Sequence, residues 1–233
     1  IAGKLARWHF APTEGSRQNL LKEGVPDGEI IVTGNTVIDA LLMTAARDLE
    51  LAVPLDPVKR LVLVTSHRRE NFGEPFRNIC RALRTLAENN PAVQFLYPVH
   101  PNPNVKDVAH EFLAGLRNFT LCEPLDYAPF IAAMKRAYII LTDSGGVQEE
   151  APSLGKPLLV LRDTTERPEV LACGVGKLVG HSGERLGEML EAAIDDQSWF
   201  DTVVKTKNPF GKGDAGEQIS SAISNYFTTH KNS

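Results

Sequence analysis

Cysteine is scarce in this chain: Cys80, Cys122 and Cys173 stand singly in apolar or helical surroundings. No CxxC or Cys/His spacing joins them, which argues against a disulfide framework and a structural zinc site and fits a reduced, cytoplasmic setting. A basic excess is also missing, since 25 Lys and Arg face 29 Asp and Glu for a net charge of −4. Without a positive field there is no footprint for nucleic acid or an anionic membrane surface. Any phosphate contact must then come from a local pocket, which points to a small ligand. No apolar run reaches the ~20 residues of a membrane-spanning helix. No GxSxG occurs and no cysteine has a neighbouring base, so acyl transfer is set aside. The acidic residues near the loops lack the spacing of a metal cage, and no metal or cofactor is expected. Internal repeats, low-complexity tracts and heptads are absent. Ile1 to Ala6 carries neither an initiator Met nor a signal-peptide pattern and reads as the tail of a helix, so the chain is expected to start within a longer protein.

What is present is a regular alternation. The 233 residues, 42% hydrophobic and 23% charged, suffice for one large α/β domain or two unequal ones. Trp8 to Ala11 and Ile30 to Thr33 read as strands, each followed by a helix. Pro54 and Pro57 then interrupt the pattern and mark a linker. Beyond it come six apolar runs: Leu61 to Thr65, Gln94 to Tyr97, Phe119 to Leu121, Ala137 to Leu141, Pro157 to Leu161 and Lys177 to Val179. Strands that are apolar throughout and separated by helices predict a parallel sheet covered on both faces, Rossmann-like in architecture. The last helix, Ala215 to Phe227, carries Ile219, Ala222, Ile223 and Tyr226 on one stripe. Three units are expected: residues 1–48 as the end of a first domain, 49–206 as a ligand-binding domain, and 207–233 as a loop and helix packing back toward the first.

In such sheets ligands sit beyond the carboxyl ends of the strands. Four polar clusters follow strands here: Ser66 to Glu70, His100, Asp143 to Gly146 and Asp163 to Arg167, and they are expected to converge on one crevice. Leu141 to Glu150 is the central stretch, with two readings. Ser144-Gly145-Gly146 can open a helix whose bare N–H groups hold an anion, with Glu149 and Glu150 beyond it for a ribose. Alternatively Ser144 is a simple cap and the glutamates favour the helix dipole. His67, Arg68 and Arg69 offer an imidazole and two guanidinium forks to phosphate, against a plain loop in which an arginine pairs with Glu70. His100 alone reads as a loop residue ordering Asn102, and Thr165 as a helix cap compatible with a ligand role. Phe130 reads as a core side chain.

Six runs in register carry a resemblance: Trp8 to Glu14, Val32 to Asp39, His67 to Gly73, Pro98 to Pro103, Leu141 to Gly155 and Arg162 to Glu169. Together they resemble the non-hydrolysing UDP-N-acetylglucosamine 2-epimerases. That resemblance implies a GT-B fold with a UDP-binding C-terminal half and the incomplete remainder of a second Rossmann-like domain. It implies UDP and UDP-GlcNAc as ligands and conversion of UDP-GlcNAc to UDP-ManNAc by UDP elimination and re-addition, without a redox cofactor. Ser144, Gly145, Gly146 and Arg167 match diphosphate contacts, Glu150 the ribose contact, and Phe130 a uracil contact. His67 matches the active-site histidine. Arg68 and His100 match positions tied in bacterial members to a second, activating UDP-GlcNAc. Leu125 departs from the Gln of some members, so only a backbone contact carries over there. The family's first strands, with the carboxylates that move the C2 proton, have no counterpart here, so the chain is expected to bind UDP and to be weakly active or inactive alone. The full-length enzyme is expected to be a homodimer. Two other classes stay open: a non-catalytic nucleotide-sugar binding module and a GT-B glycosyltransferase using a UDP-sugar.

Overall fold

The computed structural model describes Ala2 to His230, and the fold divides into two compact units: residues 1–46 with 207–233, and residues 47–206. The first unit begins with a short helix α1 (Ala2–Leu5). A two-stranded parallel sheet follows, β1 (His9–Ala11) and β2 (Ile30–Val32), connected through α2 (Glu14–Lys22) and followed by α3 (Thr36–Ala45). Thr13 starts α2 by accepting the Ser16 N–H at 3.0 Å, and Asn35 starts α3 by accepting that of Val37 at 3.1 Å. Ile38, Leu41 and Phe210 are sealed in the interior of this unit. Gly34, at φ +85°, passes so close to the backbone of Gly211 that a Cβ would lie 3.1 Å from its Cα, so both positions require glycine.

The second unit contains the remaining strands in a six-stranded, all-parallel sheet. They are β3 (Arg60–Thr65), β4 (Val93–Pro98), β5 (Phe119–Cys122), β6 (Ile139–Thr142), β7 (Leu158–Val160) and β8 (Gly176–Leu178), in the spatial order β5-β4-β3-β6-β7-β8. Between them lie α4 (Glu74–Asn89), α5 (Pro103–Leu113), α6 (Tyr127–Arg136), α7 (Gly145–Glu150) and α8 (Pro168–Ala172). After the sheet come α9 (Gly183–Asp195) and α10 (Gln197–Lys205), and α11 (Ala215–His230) returns to the first unit. The strands are continuous apolar runs because helices cover both faces: Leu61, Val62, Leu63, Val64, Ile140, Leu141, Leu158 and Leu159 are all essentially inaccessible. Register follows from that burial, with Val62 opposite both Phe95 and Ile139.

Three readings of the sequence are corrected here. The Pro54 to Pro57 segment lies inside the second unit, where Asp56 exchanges hydrogen bonds with Gln94, and the division falls earlier, after Ala46. A further helix, α10, follows α9, with Trp199 and Val203 buried and Phe200 stacked on Tyr138, where the sequence alone places no element. Ser144 does not cap α7, since its side chain makes no capping hydrogen bond.

The chain runs outward through β3, β4 and β5, then returns to the far side of β3 and runs outward again through β6, β7 and β8. The direction of winding therefore reverses between β3 and β6. A crevice opens at the carboxyl ends of two strands whose following helices leave to opposite sides, and this is where doubly wound sheets bind ligands.

Candidate functional site

Thr65 and Thr142 are paired at the ends of β3 and β6, and the two segments beyond them form the heart of the crevice. Asp143 is fully buried and binds the β3 loop to the β6 loop. Its carboxylate accepts from Ser66 Oγ at 2.8 Å, the backbone N–H of His67 and of Arg68 at 2.9 Å each, and Asn71 Nδ2 at 2.9 Å. A buried carboxylate is tolerable only when its lone pairs are taken up in this way. The consequence is a rigid turn that carries the side chains of His67 and Arg68 outward. Tyr97 supports the same turn from β4 by donating to the carbonyl of Ser66 at 2.7 Å.

The His67 ring stands over this carboxylate, its Nδ1 3.6 Å from Asp143 Oδ1. It stacks on His100 from the β4 loop, with centroids 5.6 Å apart and planes 17° from parallel. His100 also accepts the Asn102 N–H at 3.1 Å. Its expected ordering of Asn102 and its place beside His67 thus both hold.

At the start of α7 the backbone is bare. Neither Gly145 nor Gly146 has a positive φ, so these glycines are not required by backbone strain. A Cβ on Gly145 would instead touch two guanidinium groups, at 3.6 Å from Arg68 Nη2 and 3.8 Å from Arg167 Nη2. Two guanidinium groups thus stand against the first residue of a helix, Arg68 also 3.6 Å from the Glu166 carboxylate and Arg167 paired with Glu149, an arrangement that offers donors to an anion beside a helix start.

The β7 loop fixes one of those arginines. Arg167 Nε donates to Glu149 at 2.5 Å, its Nη1 to the carbonyl of Glu166 at 3.1 Å, and its backbone N–H to Thr165 Oγ1 at 3.0 Å. Thr165 in turn donates to Gln148 at 2.6 Å, binding the loop to α7. It therefore braces the turn before α8, whose own N-cap position is Arg167 and has no side-chain cap. Arg162, buried, is held between Glu70 and Glu166. Glu70 is thus matched to a distant arginine in place of its sequence neighbours Arg68 and Arg69. The bonds to Arg162, with Arg68 and Arg167 adding, hold the Glu166 carboxyl below the usual carboxylate range.

At the other end of α7, Glu150 is 6% exposed and accepts a hydrogen bond from the Tyr127 hydroxyl at 2.9 Å. Burial pushes its carboxyl up, with neighbouring Glu149 adding in the same direction, while the Tyr127 bond opposes the rise. Phe130 lies one turn along α6 from Tyr127 and is half-buried.

The loops after β3, β4, β6 and β7 thus come together, as expected. Asp143, Tyr127 and Asn71 are the participants that the sequence alone did not single out by role, and Glu149, offered to a ribose, binds Arg167 instead. Their partners are 18 to 90 positions distant, and no local spacing signals such pairs. Among the described residues no group of three or more His, Cys, Asp or Glu side chains is arranged to hold a metal ion, and no helix is long and apolar enough to cross a membrane.

A parallel sheet with its switch-point crevice lined by anion donors places the protein among the GT-B-like α/β proteins. The chain belongs to the UDP-N-acetylglucosamine 2-epimerase family, whose model matches residues 1–224. A probable UDP-N-acetylglucosamine 2-epimerase of Ralstonia solanacearum is 51% identical over 237 residues, covering 97% of this chain and 63% of the relative. The structure of the Neisseria meningitidis UDP-GlcNAc 2-epimerase bound to UDP-GlcNAc superposes with a TM-score of 0.89 at 42% identity, covering 96% of this chain and 62% of the other. A co-structure of S. aureus MnaA with UDP matches with a TM-score of 0.89 at 40% identity, covering 97% and 62%. The chain therefore spans a little under two thirds of the length of these relatives.

Proposed function

We propose that this chain is the UDP-binding part of a UDP-N-acetylglucosamine 2-epimerase. The observation that carries the reading is the placement of two guanidinium groups over Gly145, at the bare start of α7, with the Glu150 carboxylate one and a half turns further on. In this reading a nucleoside diphosphate lies along α7, with the diphosphate at Ser144, Gly145, Gly146 and Arg167, and the ribose hydroxyls at Glu150. The uracil lies along the backbone near Phe130. In this reading His67 stands beside the departing diphosphate oxygen, where an imidazole can hydrogen-bond or protonate it. Arg68 and His100 border the same space on the side where a second UDP-GlcNAc acts as an activator. The relatives whose structures hold UDP-GlcNAc or UDP support the ligand assignment.

The reaction is elimination of UDP, with loss of the C2 proton, to a 2-acetamidoglucal intermediate, then re-addition of UDP at C1 with a proton returned to the opposite face of C2 to give UDP-ManNAc. It needs a carboxylate free to move the C2 proton. The carboxylates nearest the diphosphate end are otherwise engaged, Asp143 by four donors, Glu70 and Glu166 by Arg162 and Glu149 by Arg167, and this reading assigns Glu150 to the ribose. This chain accordingly binds the leaving group and turns over weakly or not at all by itself. The unit formed by residues 1–46 and 207–233 is the part of the first domain that this chain contains, and 47–206 is the UDP domain. The whole enzyme works as a cytoplasmic homodimer. Calorimetry with UDP tests the binding, with loss of affinity expected in Glu150→Ala and the reading overturned if that substitution leaves binding unchanged. An NMR assay for UDP-ManNAc, without an added acceptor, separates epimerisation from glycosyl transfer.

A further inference from the structure

The ribose end of the crevice has a feature that the diphosphate end lacks. Glu150 is nearly sealed from water, yet among the described residues its carboxylate has one hydrogen-bond donor, the Tyr127 hydroxyl on Oε1 at 2.9 Å. Its other oxygen has no partner and is not among the buried polar atoms cut off from solvent. A carboxylate offers about four lone-pair positions, so most of its accepting capacity remains unused. Tyr127 itself is 43% exposed at the first turn of α6, so it contributes little to the core and its hydroxyl reaches into the crevice.

We propose that Tyr127 is a positioning residue: its hydroxyl fixes the rotamer of Glu150 with one oxygen presented to a ribose diol, and the site thereby discriminates ribose from 2′-deoxyribose. This rests on the assignment of the crevice to UDP and names the group that sets its sugar specificity. The physical argument has two parts. A side chain with three torsions costs rotamer entropy when a ligand must order it, and a pre-formed bond from Tyr127 removes part of that cost before binding. The same bond supports the ionised form of a carboxyl group that burial and the neighbouring Glu149 both disfavour, and the ionised form, with both oxygens free of a proton, is the stronger acceptor for two hydroxyls. Of the charges near α7, Arg167 is engaged with Glu149 and Arg68 lies 3.6 Å from Glu166, and among the described residues Tyr127 alone donates to Glu150. A site built around hydroxyl recognition rejects an analogue without the hydroxyl strongly, because its own polar group is then left unpaired.

The test is calorimetric titration of UDP and of 2′-deoxy-UDP into the wild-type chain and Tyr127→Phe. Phenylalanine keeps the ring of a largely exposed residue, so the fold is retained. Wild type is expected to prefer UDP. In Tyr127→Phe the affinity for UDP should fall by about tenfold, the scale of one hydrogen bond to a charged group, and that for 2′-deoxy-UDP by much less, so the preference collapses. Equal losses for both ligands, or no loss for UDP, overturn the proposal. Carbon-13 titration of the Glu150 carboxyl in the ligand-free chain reads the same link without nucleotide: its midpoint should move upward in Tyr127→Phe, and an unmoved midpoint overturns the proposal. If the wild-type chain fails to bind UDP while the midpoint still moves, the assignment of the crevice to UDP is what has failed.

Discussion

The two ends of the six-stranded sheet use the same residue types for opposite purposes. At the amino end, Arg136 Nη2 donates to the carbonyls of Asp56, Pro57 and Lys59 at 2.9 to 3.0 Å. Gln94 binds the same stretch, and Asn118 Nδ2 serves the carbonyls of Ala87, Asn90 and Val93. Every one of those side-chain N–H donors goes to a backbone carbonyl, and the Gln94 side-chain oxygen takes the Asp56 N–H in return, so these groups are consumed in closing the fold. At the carboxyl end, Arg68 and Arg167 turn Nη2 toward the bare helix start at Gly145, and His67 stands outward on a turn held by Asp143. An arginine at a strand end is therefore informative only once the destination of its donors is known. Closure and reception look alike in sequence.

Substitutions can break this distinction, and the largest effect is expected at the junction between its two uses. Asp143→Asn replaces a buried four-fold acceptor with a group that turns N–H toward other donors. It should cost about 3 kcal/mol of unfolding free energy, given ~1–3 kcal/mol per unsatisfied buried group, and should also weaken UDP binding. An unchanged melting curve would remove Asp143 from its central place. Arg167→Ala should lower UDP affinity by about 1.5–3 kcal/mol, the range for bonds to charged groups, and should also lower the melting temperature, because it removes a partner of the buried Glu149 carboxylate. Arg136→Ala should act on stability alone, costing about 1 kcal/mol for the hydrogen bonds lost and leaving UDP affinity intact. Comparable losses of UDP affinity in the two variants would erase the difference between the ends.

Two pH effects sharpen the same contrast. At the receiving end, burial holds the Glu150 carboxyl above the usual carboxylate range. Its protonation removes the acceptor, so the affinity for uridine, which carries no phosphate to titrate, should fall on acidification. The fall should begin above the range of an ordinary glutamate, and Glu150→Gln should give a flat, weak profile. At the closing end, Lys156 precedes β7, and burial, with Arg136 adding, brings its ammonium down to about 8. Its folded value lies below its unfolded one, so stability should rise as pH climbs from about 8 toward the ordinary lysine range and be lost as pH falls through 8. Lys156→Met should flatten that rise and lift the melting temperature slightly at neutral pH, the smallest of these effects.

Much of this contrast was legible before the structure, and the missing part has a physical cause. Apolar runs such as Leu61 to Thr65 declare buried parallel strands, because burial on both faces removes the alternation of a half-exposed strand. The polar residues directly after those runs declare the crevice. The partner of each residue was not legible. Glu70 has Arg68 and Arg69 beside it in sequence yet binds Arg162, 92 positions away, because its loop faces β7 across the sheet. Ser144 has the identity of a cap, but its N–H is taken by Thr142 Oγ1 and its side chain caps nothing. The order β5-β4-β3-β6-β7-β8, which brings Asp143 beside Ser66, is a property of pairing that no local spacing encodes.

The central claim is that the start of α7, under Arg68 and Arg167, receives the diphosphate of UDP. Gly145→Asp tests it directly, because the position has an ordinary φ and an aspartate at a helix start is favourable. Its carboxylate would sit between the two guanidinium groups. Calorimetry should show saturable binding of one UDP to the wild-type chain and none to Gly145→Asp, with the two melting temperatures alike. Equal binding of UDP by both chains would contradict the claim.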